Sequence, residues 1–192
     1  MSPLTWQLWC MFALALFSAM TVEADLRESR IPNVQVLLAM ATGLSLNTLG
    51  PSNGAEGLLS DFPGALGFAM SFAGLGLGIL LLLPLYAMGV MGAGDVKWLG
   101  ALGSFVGPQE LLGLLLAVFL AGGILALMRM VQKGHALAVM RSTRHTLAHW
   151  AVGQPVHMHQ SIDRMPYALA FALGLAVYVY ARFHGVHAPV LV

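Results

Sequence analysis

Charge is what this chain has least of. Nine lysines and arginines and eight aspartates and glutamates make up 9% of its 192 residues, where a soluble domain carries roughly 25%. With 58% hydrophobic residues besides, there is too little polar surface for a water-soluble protein of this size. Cysteine is almost missing. Cys10 stands alone inside an apolar run, which excludes disulfides and cysteine metal centres. Basic residues are missing ahead of the first apolar run, so the N-terminal segment reads as a retained helix and not as a signal peptide. No internal repeat is evident, no nucleic-acid partner is expected, and the oligomeric state is left open.

What the chain has in abundance is apolar length. Crossing a bilayer takes about 20 apolar residues, and six hydrophobic segments can be drawn: about Leu4 to Val22, Pro32 to Leu49, Gly64 to Gly89, Asp95 to Val106, Gln109 to Val131 and Pro166 to Phe183. The expected fold is an all-α integral membrane domain over residues 1–192 with about six transmembrane helices. The fourth is short, about 12 residues or 18 Å at the α-helical rise.

The few charges are unevenly placed. Six crossings put Arg27, Arg30, Lys97, Arg129, Lys133, Arg141, Arg144 and Arg164 on one side. The other side has only Arg182, together with Glu56, Asp61 and Glu110. By the positive-inside rule the first side is cytoplasmic and both termini face out. Trp6 and Trp9 then fall where an outer aromatic belt is expected. The long connection over 132–165 is cytoplasmic, and Met140, Thr143, Leu147 and Trp150 recur in it at helical spacing. An amphipathic helix on the inner leaflet is expected there, or else a loop with some helical propensity.

Against this background two acids stand out, because ionisable groups in or at a membrane are costly. Asp25 ends the first apolar segment in "VEADLRESRIPN", and Asp95 opens the fourth in "GAGDVKWLG". The six crossings put both at the cytoplasmic face. Two carboxylates brought close share a proton and titrate as a pair. One is then suited to activate water and the other to protonate a leaving amine. Gly92 and Gly94 have no Cβ, so they allow the turn to bend and a substrate backbone to approach Asp95. Capping of the helix that follows is the other reading of Asp95. Pro32 fits the first helical position of the second segment.

"DLRESRIPN" followed by "GAGDVK" resembles the type IV prepilin peptidases, which are membrane aspartic proteases of the GxGD kind. The resemblance implies that Asp25 and Asp95 are the catalytic pair, and the proline-led "RMPYALAFALG" is also similar to the family's final span. Larger members carry an added cytoplasmic region, often with CxxC pairs, and also N-methylate the trimmed pilin. This chain has neither feature and is more similar to the short, peptidase-only members that serve tight-adherence (Flp-type) pili. The resemblance implies a multi-pass enzyme of the bacterial inner membrane that removes a short basic leader from prepilins or pseudopilins. It would cut near a glycine, at the cytoplasmic face.

Around this pair, Glu23 and Glu28 are candidates for attracting a basic leader, or are ordinary interfacial charges. Lys97 either biases the pair or contacts substrate, or it snorkels to the headgroups. His145 with His149 and His157 with His159 have metal-ligand spacing, but no motif joins them. No metal and no cofactor is expected. Two other functions compete with a protease: a small proton- or cation-coupled transporter using the same carboxylates, and a non-catalytic scaffold of a pilus or secretion assembly. Transport carboxylates tend towards the midplane, and transporters commonly carry an inverted repeat. Presenilin-like GxGD proteases share the chemistry, but their YD partner is absent.

Overall fold

The computed structural model describes residues 2–51, 57–60, 62–89, 91–132 and 167–185. The connection expected over 132–165 lies outside the described residues beyond Gln132, as do its histidines, Glu56 and Asp61. The described residues form five helices: α1 (Pro3–Glu28), α2 (Asn33–Leu49), α3 (Phe68–Ala87), α4 (Ala93–Gln132) and α5 (Tyr167–Phe183). Three stretches are long and apolar enough to cross a membrane, namely α1, α3 and residues Ala93–Arg129 of α4, and α5 is a shorter apolar helix. Their outward faces carry exposed Leu8, Trp9, Phe12, Phe72, Leu80, Leu116 and Leu120. An apolar exterior over an apolar core is the pattern of a bundle solvated by lipid. This is an all-α integral membrane protein.

α1 starts on Ser2, whose Oγ accepts the Thr5 N–H, and Pro3 suits the first turn, where its missing N–H costs nothing. It runs past the expected end at Val22, because "VEADLRE" stays helical. Glu23 and Arg27 form an i,i+4 pair at 2.8 Å, and Arg27 also suits the negative end of the helix dipole. Its inner face, Trp6, Cys10, Leu14, Ser18 and Thr21, follows a spacing of three to four. Ser29 closes the helix in the left-handed region (φ 50) and donates its N–H to the Asp25 carbonyl.

Pro32 occupies the cap position of α2 and not the first helical position, with extended backbone at ψ 129. α3 begins at Phe68, later than expected, after Gly67 at φ 82. Polar groups hold α1 and α2 together inside the bundle, where Gln35 Nε2 donates to Thr21 Oγ1 at 2.7 Å and to the Phe17 carbonyl at 3.3 Å. Trp6 does not belong to an aromatic belt. It is fully buried, and its indole N–H reaches the Leu46 carbonyl at 2.8 Å. Trp9 is exposed.

The two helices expected over Asp95–Val106 and Gln109–Val131 are one element broken at Gly107 (φ 78, ψ 174), ahead of Pro108. Proline has no N–H to donate four residues back, which frees the Ser104 carbonyl. Inside a membrane that acceptor needs another donor, and two helices supply one. Asn47 Nδ2 donates to the Ser104 and Phe105 carbonyls at 2.9 and 3.0 Å, and Ser71 Oγ also donates to Ser104. The first arm, 93–106, runs against α3 so closely that a Cβ on Gly74 or Gly103 would collide with the other helix's backbone. Small residues at such crossings let membrane helices approach. The second arm, 108–132, returns beside α5, where a Cβ on Gly174 would sit 2.5 Å from Val118 Cα. α4 is thus the central element, in contact with all four others.

Candidate active site

The bundle has two chemically distinct ends. At one, the Glu110 carboxylate accepts from Arg182 at 2.6 Å and from the Tyr178 hydroxyl, tying the second arm of α4 to the last turns of α5. The other end lies about 20 Å away along α5, at 1.5 Å per residue. There the C-terminus of α1 meets the N-termini of α4 and α5. Both conspicuous aspartates lie at this second end, as do Arg27, Arg30, Lys97 and Arg129.

Asp95 is the third residue of α4 and is 8% exposed. Its Oδ2 accepts the Gly92 N–H at 3.2 Å, while the Gly92 carbonyl accepts from the Asp95 and Val96 amides. This is the carboxylate half of a capping box, so Asp95 caps from inside the first turn of a helix that begins at Ala93, and not as the residue that opens it. Asp25 lies in the last turn of α1, half-buried, and its Oδ2 accepts the Ala168 N–H at 3.1 Å across 143 positions of sequence. An orphan donor of the first turn of α5 thereby fixes Asp25 in place. The two carboxylates thus lie at the same end of the bundle, each fixed by a backbone donor at a helix start. Each keeps its Oδ1 without a hydrogen-bond partner among the described residues.

Gly94 acts differently from the sequence reading, while Gly92 leaves room beside Asp95. Neither Gly92 nor Gly94 adopts a positive φ; in this turn Gly89 does, at 72°. A Cβ on Gly94 would lie 3.2 Å from Ile31 Cβ, and one on Gly92 would lie 3.3 Å from Asp95 Oδ2. Gly94 thus makes room for this chain's own Ile31, from "RIPN". Lys97 is exposed and donates to Asn33 Oδ1 at 3.0 Å; it forms no ion pair with either aspartate among the described residues. Ile31 on Gly94 and Asn33 on Lys97 therefore join the two sequence motifs directly. Glu23 is exposed and engaged with Arg27, and Glu28 is exposed.

Sequence reasoning missed Ile31, Asn33 and the Ala168 amide. "RIPN" read as a helix start gave no reason for Asn33 to face another helix, and a backbone donor leaves no mark in a sequence. Chemically, this end offers two acids held by backbone donors at the mouth of an apolar bundle, each with one oxygen unpartnered among the described residues. Such a pair can orient a water and pass protons.

The model of the type IV leader peptidase family matches residues 10–127, more than half of the chain, including both aspartates and the segments that join them. No curated protein and no solved structure matches the chain.

Proposed function

Because the chain belongs to the type IV leader peptidase family, we propose that it is a prepilin leader peptidase in which Asp25 and Asp95 are the catalytic pair. The observation that carries this reading is the meeting of two carboxylates distant in sequence at one end of the bundle, where each accepts a backbone N–H at a helix start. One carboxylate takes a proton from water as it attacks the scissile carbonyl, and the other donates a proton to the departing amine. The reaction needs no metal and no cofactor.

The substrate is a prepilin or pseudopilin, cut between its short basic leader and its apolar helix. The cut lies at the cytoplasmic face of the bacterial inner membrane, the side to which the excess of basic residues assigns this end of the bundle. The chain reversal at Gly107 supports counting the two arms of α4 as separate crossings, which gives six and leaves both termini outside. The lack of CxxC pairs favours a peptidase without methyltransferase activity, of the kind that serves Flp-type pili.

One observation favours a second reading. Both carboxylates accept backbone N–H groups at helix starts, as they would in a non-catalytic scaffold. Co-expression with a Flp-type prepilin separates the two, with leader loss followed by gel mobility. Asparagine keeps the size and capping ability of aspartate and removes the acid. Wild type is expected to trim the prepilin, while Asp25→Asn and Asp95→Asn accumulate normally and leave it untrimmed. Trimming by either variant would reduce that residue to a cap.

A further inference from the structure

The chemistry above makes no use of the cavity beside the pair. It encloses about 390 Å³ between α3, the second arm of α4 and α5, within the roughly 300–1,000 Å³ of ligand-holding pockets. Its walls are apolar, with Leu82, Leu85, Val118, Phe119 and Phe171 among them. Two lining residues adjoin the anchors of the carboxylates. Met91 precedes Gly92, whose amide holds Asp95, and Tyr167 precedes Ala168, whose amide holds Asp25. The cavity therefore adjoins the two backbone amides that hold the carboxylates.

Among the described residues Arg129 is the one charged residue lining it, and it is exposed at the end of the second arm. Like charge disfavours a basic segment there and leaves an apolar one unaffected. We propose that this cavity receives the apolar side chains that directly follow the cut, so that the substrate crosses the pair with its basic leader directed away from Arg129. This assignment rests on the prepilin peptidase reading. It makes the α3–α4–α5 groove the determinant of which residue is accepted after the scissile bond.

Gly123 offers a clean test. It lines the cavity, and a Cβ added there meets nothing within 4 Å, so a larger side chain enters open space. Replacing a helical glycine also favours the helix, so Gly123→Leu is expected to fold. Cleavage would be measured on a Flp-type prepilin carrying either leucine or alanine at the first position after the cut. In Gly123→Leu the ratio of kcat/KM for the leucine substrate over the alanine substrate should fall at least tenfold from its wild-type value. An unchanged ratio would overturn the assignment and leave the cavity to another occupant such as a lipid chain.

A second measurement does not depend on turnover. In an Asp95→Asn, Cys10→Ala background, Gly123→Cys is treated with a short bismaleimide beside a prepilin bearing one cysteine at that same position. A cross-linked product is expected. Its absence in folded, membrane-inserted protein overturns the assignment. Failure of wild type to cleave either substrate would overturn the peptidase reading on which the assignment rests, whereas cleavage by wild type with no cross-link overturns the cavity assignment alone.

Discussion

At the scale of single residues, the contact between Ile31 and Gly94 holds the two motifs in register. A Cβ at position 94 already presses on Ile31 at 3.2 Å, and a branched side chain presses further. Overpacking of this kind costs about 1–3 kcal/mol. Gly94→Val is therefore expected to lower both the unfolding temperature and cleavage, as measured on purified protein in detergent. Asn33→Ala removes only an exposed acceptor from Lys97. It should change stability by less than about 1 kcal/mol, as exposed polar contacts generally do. The aspartates themselves were legible in the sequence, because an acid in an apolar chain needs a reason. Their holders were not, since the Gly92 and Ala168 amides are backbone groups.

At the scale of elements, the break at Gly107 shapes the bundle, and Asn47 makes it tolerable. Its side chain donates to the Ser104 and Phe105 carbonyls and accepts the Leu66 N–H at 3.1 Å. Asn47→Ala leaves buried groups unsatisfied, at about 1–3 kcal/mol apiece. A loss of at least about 2 kcal/mol is expected on that basis, read as a lowered midpoint of thermal unfolding. Thr48→Ala, which removes only an exposed bond to the Leu44 carbonyl, is the control and should leave the midpoint nearly unmoved. The sequence pattern placed the apolar segments well, and the helix boundaries less so. α1 outran its expected end because charged residues at helical spacing sustain a helix once they pair. The two arms around Gly107 were separable in sequence, since glycine followed by proline is a break signal. The donors that repair the break come from α2 and α3, and no local pattern announces them.

At the scale of the whole molecule, the charged groups are divided between two ends. Glu110, Tyr178 and Arg182 clamp one, and the aspartate pair occupies the other. Glu110 accepts from both Arg182 and Tyr178, and a hydrogen bond to a charged group is worth about 1.5–3 kcal/mol. Glu110→Ala should accordingly destabilise the protein strongly in a thermal unfolding assay. The fraction that remains folded is expected to trim prepilin normally, because the clamp lies far from the cut. Of the basic residues that divide the charge in sequence, Arg27, Arg30, Lys97 and Arg129 lie at the aspartate end and Arg182 at the other, while Lys133, Arg141, Arg144 and Arg164 lie outside the described residues. The meeting of the ends of α1, α4 and α5 was only implied, because it depends on how the helices pack. The central claim is that Asp25 and Asp95 work as one unit. The most direct test is kcat/KM for prepilin cleavage by wild type, Asp25→Asn, Asp95→Asn and the double variant, reconstituted in lipid. Residues that act as a unit are non-additive, and acid–base groups contribute about 10²–10⁴-fold. Each single variant is predicted to lose at least about 100-fold, with no further loss in the double variant. Substantial activity in either single variant, or losses that multiply in the double, would contradict the account.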